Sequence, residues 1–177
     1  YAALTLGASA NAITHHRLVV VLEPAEERIT VTDRLTVPEH GDEPLRFQLA
    51  AGLEVEAEGA RLSRALLSRG GLRSYELHPL AGATEVVLRY SGPIGEGSVH
   101  PEHGMPDAVV GREGVYLDGA AGWYPRVDNA LMTFELEVSA PPGWEVISQG
   151  ERVTRGPKVA WVERSPQDDI YLVAGPF

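Results

Sequence analysis

The chain has 177 residues, 44% of them apolar, with 25 acidic against 15 basic side chains, a formal net charge of −10 at neutral pH, and no cysteine. The charge excludes an ordinary nucleic-acid binder, which needs clustered Lys and Arg with little acid around them, and the apolar content excludes a disordered chain. Without cysteine, disulfides, thiolate nucleophiles and thiolate metal sites fall together, and the longest apolar run, Leu18 to Leu22, is far short of the roughly 20 residues of a helical membrane span.

In chain order, residues 1–12 are rich in small side chains and open on Tyr1 rather than methionine. They are expected to be a poorly ordered remnant of signal cleavage or of an added sequence, with residues 13–177 forming a single β domain. The compartment stays open between cytoplasmic and extracytoplasmic, with a lean to the latter.

From His16 onward the pattern is period-two alternation in short runs cut by Gly and Pro. His16 to Leu22 reads as a strand closed by Glu23-Pro24, and Ile29 to Val37 as a second closed by Pro38. Leu45 to Leu49 and Leu53 to Ala57 alternate cleanly, as half-buried antiparallel strands do. Arg61 to Ser68 is ambiguous: Leu62, Leu66 and Leu67 share a helical face, but Gly70-Gly71 cuts the run short, so a strand or irregular edge is expected. The arginines there, Arg61, Arg64, Arg69 and Arg73, read as a solvated face or a surface for an acidic partner. Strands return at Tyr75 to Leu77 and Glu85 to Tyr90. Gly92 to Arg112, dense in Gly and Pro, is expected to be a long loop of the kind that binds or moves. Met132 to Val138, Trp144 to Ser148, Val159 to Glu163 and Ile170 to Val173 complete the set. The fold class is therefore all-β, an antiparallel saddle-like sheet or β-sandwich of about ten to twelve strands with no substantial helix.

No complete catalytic constellation accompanies these strands. There is no H-E-x-x-H for a zinc hydrolase, no G-x-S-x-G elbow, and no phosphate cradle opening a helix. His100-Pro101-Glu102-His103 spaces its histidines by three, with a proline that opposes a helix. As a loop it could grip a metal, although further ligands are not in sight. His15 and His16 point to opposite faces of a strand, so solvent and packing account for them. Asp107, Asp118 and Asp128 lack the calcium ladder, and nothing among the 25 acids singles out a glycosidase pair. The expectation is no catalytic residue and no metal ligand in this chain. Trp123, Tyr124, Trp144 and Trp161 are candidates for ligand stacking, weighed against the commoner role of anchoring a sheet.

One stretch is more specific. Gly114-Val115-Tyr116-Leu117-Asp118 is followed by Gly122-Trp123-Tyr124-Pro125, Asp128, and Thr133-Phe134-Glu135-Leu136. Pro141-Pro142-Gly143-Trp144, Ser148-Gln149-Gly150 and the closing Asp168-Asp169-Ile170-Tyr171-Leu172-Val173-Ala174-Gly175 come after it. Together these resemble the N-terminal domain of the zinc aminopeptidase family that includes alanyl aminopeptidase, puromycin-sensitive aminopeptidase and the leukotriene hydrolase, in a divergent bacterial branch. The resemblance implies a saddle-like β domain over the cleft of a downstream catalytic domain. The zinc ligands and catalytic glutamate would lie beyond Phe177, so no cofactor is expected in this chain itself. It also implies that one Gln or Glu of this domain bonds the free amine of a peptide substrate. Counting back from Asp128, that position holds Tyr116, whose hydroxyl accepts a hydrogen bond without negative charge; Glu113 and Asp118 are the neighbouring carboxylates. The substrate-binding candidates are thus Tyr116, Glu113 and Asp118, and the partners are the catalytic domain of the same polypeptide and a peptide. The competing reading is a self-contained extracytoplasmic module binding carbohydrate or protein. Exposure of Trp123 and Tyr124 as a flat platform would favour that module; their burial would favour the peptidase scaffold.

Overall fold

The computed structural model describes residues 12–37, 43–69, 71–94, 108–128, 130–155 and 158–177. Among them are fifteen strands and two single-turn 3-10 helices. The first half holds β1 (Ala12–Glu23), β2 (Arg28–Thr36), β3 (Leu45–Ala50), β4 (Glu54–Glu58), β5 (Ala60–Arg69), β6 (Leu72–Pro79) and β7 (Glu85–Pro93). The second holds β8 (Ala108–Gly111), β9 (Gly114–Leu117), β10 (Arg126–Val127), β11 (Ala130–Ser139), β12 (Glu145–Ile147), β13 (Glu151–Arg155), β14 (Lys158–Gln167) and β15 (Leu172–Gly175). The all-β expectation holds, with more strands than the ten to twelve anticipated. The surplus comes from short strands such as β8, β10 and β13, which carry too few residues to show a period.

Three sheets share these strands: β13-β14-β11-β1-β2-β7-β4, β10-β3-β6-β5, and β12-β15-β9-β8. Every pairing is antiparallel except one. β1 runs parallel to β11 at the centre of the large sheet, from Ala12 beside Ala130 to Val21 beside Ser139. A parallel neighbour needs a long crossover, and here most of the chain lies between the two strands. The ambiguous segment at Arg61 is strand β5, whose pairing with β6 shifts register between Arg64 and Ser68. That shift breaks the alternation and explains why no period of two is visible there.

Alternation along each strand sends one row inward. Leu18 and Val20 of β1, Ile29 and Leu35 of β2, and Phe134 and Leu136 of β11 are fully buried. On the second sheet Phe47 stacks on Tyr75, its cross-strand partner, with ring centroids 5.4 Å apart. Residues of all three sheets form one apolar cluster, each large side chain worth about 1.5–3 kcal/mol on burial. The expected loop from Gly92 to Arg112 is narrower than its sequence implies, because Gly92 and Pro93 end β7 and Ala108 to Gly111 form β8. Residues 95–107, including His100, His103 and Asp107, lie outside the described residues.

Candidate functional site

The small sheet β12-β15-β9-β8 is built from four short alternating runs. Its inward residues Val146, Ala174, Val115 and Val110 are mutual cross-strand neighbours and all buried. The next residues along, by the same register, form the outward row Ile147, Val173, Tyr116 and Val109. This row is apolar or aromatic from end to end, with Ile147 53% and Val109 40% exposed. Glu145, on the same edge strand as Ile147, pairs with Arg152 of β13, and the other two sheets carry ion pairs across their own strands. Arg34 pairs with Glu85 and Arg89 with Glu58 on the large sheet, and Arg46 with Glu76 on the second. Val19 and Val21 are also exposed on the large sheet, but they lie opposite Thr32 and Thr30.

Beyond β9 the chain turns sharply. Asp118 is extended and its Oδ1 accepts hydrogen bonds from the Ala120 and Ala121 N–H groups, at 2.9 and 3.2 Å. This caps the 3-10 turn Gly119–Ala121 in the manner of an Asp N-cap. Gly122 follows with φ +64°, a conformation that a side chain disfavours, and its carbonyl accepts from the Ala50 N–H at 2.8 Å. The turn delivers Trp123 and Tyr124 into the core, 0% and 1% exposed, their rings edge to face at 5.1 Å.

Both aromatics fasten the segment that leads into β15. Trp123 Nε1 donates to the Ile170 carbonyl at 3.2 Å. Tyr124 Oη donates to Asp169 Oδ1 at 3.0 Å and accepts from the Ile170 N–H at 3.2 Å; that N–H is shared with Asp169 Oδ1 at 2.7 Å. Gln149 braces the same segment from the other side, donating to the Asp169 carbonyl and accepting from the Tyr171 N–H, at 3.0 and 2.8 Å. Ser148 Oγ donates to the Tyr171 carbonyl at 2.6 Å. The Trp-Tyr turn and the Ser-Gln turn thus clamp Asp169 to Tyr171 from two directions.

The electrostatics concentrate at Asp169. Burial pushes its carboxyl above the ordinary value of 3.8, and the nearby Asp118 pushes the same way. The bonds from Tyr124 and Ile170 oppose that shift. Burial and then the Asp169 charge carry the Tyr124 phenol well above the usual tyrosine range. Tyr171, at the surface, is also raised, first by Asp169, with smaller contributions from Tyr116 and Asp118. Asp169, Tyr116 and Asp118 are therefore all within electrostatic reach of Tyr171, beside the outward row. Glu113 is exposed in the two-residue turn joining β8 to β9. Three residues back from Tyr116 along the strand, it is about 10 Å from it. Asp169 was not among the sequence candidates; its role follows from contacts with residues 45 positions away, which no local pattern shows.

No family model and no curated protein matches the chain. Solved structures do. A substrate-bound mutant of the M1 zinc metallopeptidase from Deinococcus radiodurans superposes with a TM-score of 0.66 at 20% identity, over 93% of this chain and 42% of that one. Leukotriene A4 hydrolase from Saccharomyces cerevisiae superposes with a TM-score of 0.59 at 13% identity, over 93% of this chain and 28% of that one. The fold is that of one part of an M1 zinc metallopeptidase chain. This chain spans less than half the length of either structure.

A bound zinc needs several grouped donor side chains, which the described residues do not bring together. Among them no three His, Cys, Asp or Glu side chains are grouped to hold an ion. His16 has both ring nitrogens engaged, by Asp33 and Thr14, and His15 Nδ1 stands 2.8 Å from Thr133 Oγ1. Burial, and then Arg17, hold His15 below its ordinary value of 6.5.

Proposed function

We propose that the chain is a non-catalytic N-terminal domain of a zinc metallopeptidase of the aminopeptidase type, covering the active-site cleft and helping to hold the free amine of the substrate. The observation that carries this reading is the outward row of the small sheet. The large and second sheets carry ion pairs across their own strands, while the small sheet, where Glu145 at one edge pairs with Arg152 of β13, presents Ile147, Val173, Tyr116 and Val109 in register. A row of that composition suits a covering partner better than water. The shared fold supports, as that partner, the catalytic part of the same polypeptide, where residues beyond Phe177 would bind the zinc that activates water for peptide hydrolysis. Burial of Trp123 and Tyr124 takes both out of any flat surface platform for a sugar and favours the peptidase scaffold over a sugar-binding module.

For the amine, Tyr116 offers an uncharged acceptor on the row, and Asp118 and Asp169 offer negative charge beside it. One Asp118 oxygen caps the 3-10 turn, and Asp169 Oδ1 is occupied by Tyr124 and Ile170. Tyr171 at the surface also hydrogen-bonds Asp169, so an ammonium group arriving there would join bonds already made. A charge-assisted bond of this kind contributes about 1.5–3 kcal/mol.

The test is made on the polypeptide that continues past Phe177. Its reading frame should carry H-E-x-x-H and a downstream glutamate, and its product should hydrolyse aminoacyl amides while sparing their N-acetylated forms. Asp169→Asn and Tyr116→Phe should each raise KM for the free-amine substrate about tenfold or more. A frame that ends or enters an unrelated domain overturns the reading, and so does equal hydrolysis of acetylated and free substrates.

A further inference from the structure

The core of the large sheet carries a short polar chain that the proposed function leaves unused. His16 and Asp33 are both 0% exposed, and His16 Nδ1 donates to Asp33 Oδ2 at 2.7 Å. On the far side of the ring His16 Nε2 stands 3.2 Å from Thr14 Oγ1, and Thr14 is itself buried. Tyr124 meets the same imidazole edge to face, with centroids 6.1 Å apart. The second carboxylate oxygen is different. Asp33 Oδ1 is fully buried and, among the described residues, nothing donates to it.

A second such atom belongs to the neighbouring strand. Tyr90 Oη is buried and also lacks a protein partner among the described residues. Asp33 lies opposite Leu88, and Tyr90 is two residues further along β7, opposite Val31. Tyr90 is therefore the diagonal same-face neighbour of Asp33, a separation of about 7–8 Å between backbones that long side chains can span. The two groups feel each other: after burial, the Asp33 charge is the main cause holding the Tyr90 phenol well above its ordinary value. Tyr90 thus remains a proton donor across the neutral range, and Asp33 Oδ1 is an acceptor whose lone pairs no protein group uses. Donor and acceptor face one core without a bond between them. Native cores rarely leave two complementary groups unmet, and a site with two or more polar partners is where an internal water is held.

We propose that the core binds one ordered water between Asp33 Oδ1 and Tyr90 Oη, donating to the carboxylate and accepting from the phenol. The water completes a hydrogen-bonded chain from Thr14 through His16 and Asp33 to Tyr90, beneath the turn that carries Tyr124. It is a structural ligand of the fold, held by side chains from β2 and β7, neighbouring strands of the large sheet.

Two measurements decide it. A crystal structure of the 177-residue chain that orders internal water should show a peak within about 2.6–3.2 Å of both atoms. A direct bond between Asp33 and Tyr90, or no peak, overturns the proposal. Chemical denaturation of Tyr90→Phe gives an independent sign. Phenylalanine keeps the ring volume, so the variant folds. If the hydroxyl holds a water, its removal lowers the folding equilibrium constant about fivefold or more; if the hydroxyl is buried unpaired, its removal leaves that constant unchanged or raises it. An unchanged or increased constant overturns the proposal.

Discussion

At Asp169 two effects oppose each other. Burial and the neighbouring Asp118 favour the neutral acid, while Tyr124 Oη and the Ile170 N–H favour the carboxylate, and burial wins. The folded pKa therefore lies above the unfolded one. The contribution of this group to stability is then fully present below the ordinary value of 3.8 and is lost as pH rises through the folded pKa. Side-chain carbon NMR of the carboxyl should show a titration midpoint above 3.8. Asp169→Asn should remove that one component from the stability–pH profile, making the variant's profile rise relative to the parent's on the neutral side. A midpoint below 3.8 would reverse the assignment.

The adjacent glycines separate contact from strain at the same scale. A Cβ on Gly119 would sit 2.2 Å from Asp169 Oδ1 and 3.0 Å from Tyr124 Oη, so Gly119→Ala should push the carboxylate off its bonds. Gly122 has φ +64° and its Cβ would meet Leu72 Cδ2 at 2.5 Å and the Ala50 nitrogen at 2.8 Å. Gly122→Ala should therefore cost more, about 1–3 kcal/mol for the backbone alone with the clash in addition, read from urea midpoints of the two variants. Tyr116 and Asp118 were legible as candidates because they fall at fixed distances from Asp128 and the Trp-Tyr turn. Asp169 was legible only as part of a closing strand, since its meaning depends on a tyrosine brought to it by folding.

Among the elements, strand existence was the most readable feature and strand partnership the least. The runs at His16, Ile29, Leu45, Glu85 and Met132 are all strands, those at Ile29 and Leu45 within a residue of the expected bounds, while β1 starts four residues before His16 and β7 runs three past Tyr90. Nothing in such a run states its neighbour, so the parallel pairing of β1 with β11 could not be read from either strand. Its effect is large, because it joins the start of the described chain to its second half at the centre of the widest sheet. Phe134 lies on β11 directly beside His16 of β1, across from Glu163 of β14, and is 0% exposed. Phe134→Ala should destabilise the chain by about 3–5 kcal/mol, the usual cost of a buried phenylalanine, measured by denaturant unfolding. A loss below about 1 kcal/mol would show that the junction between the first and second halves is not a cooperative part of the core.

For the molecule as a whole, the difference among the three outer faces makes a prediction that neither residue nor strand makes alone. Cross-strand ion pairs at solvent-exposed positions add little stability, a median near 0–1 kcal/mol, so the large and second sheets carry them as the ordinary dress of a wet surface. On the small sheet Glu145 pairs with Arg152 of β13 at one edge, but the four residues of the row are uncharged, and its apolar side chains gain nothing from water. Lysine at Ile147 should therefore leave the isolated 177-residue chain within about 0.5 kcal/mol of its parent, since the position is exposed and no core contact is lost. Within the longer polypeptide of the proposed function, the same lysine would be driven into an apolar interface and left without a partner, at a cost of several kcal/mol. Thermal unfolding of the two forms, each with and without Ile147→Lys, isolates that difference. A shift confined to the longer form assigns the row to a covering domain. A shift in both would make Ile147 part of this chain's own core, and no shift in either would make the row an open surface and remove the main support for a cleft-covering role.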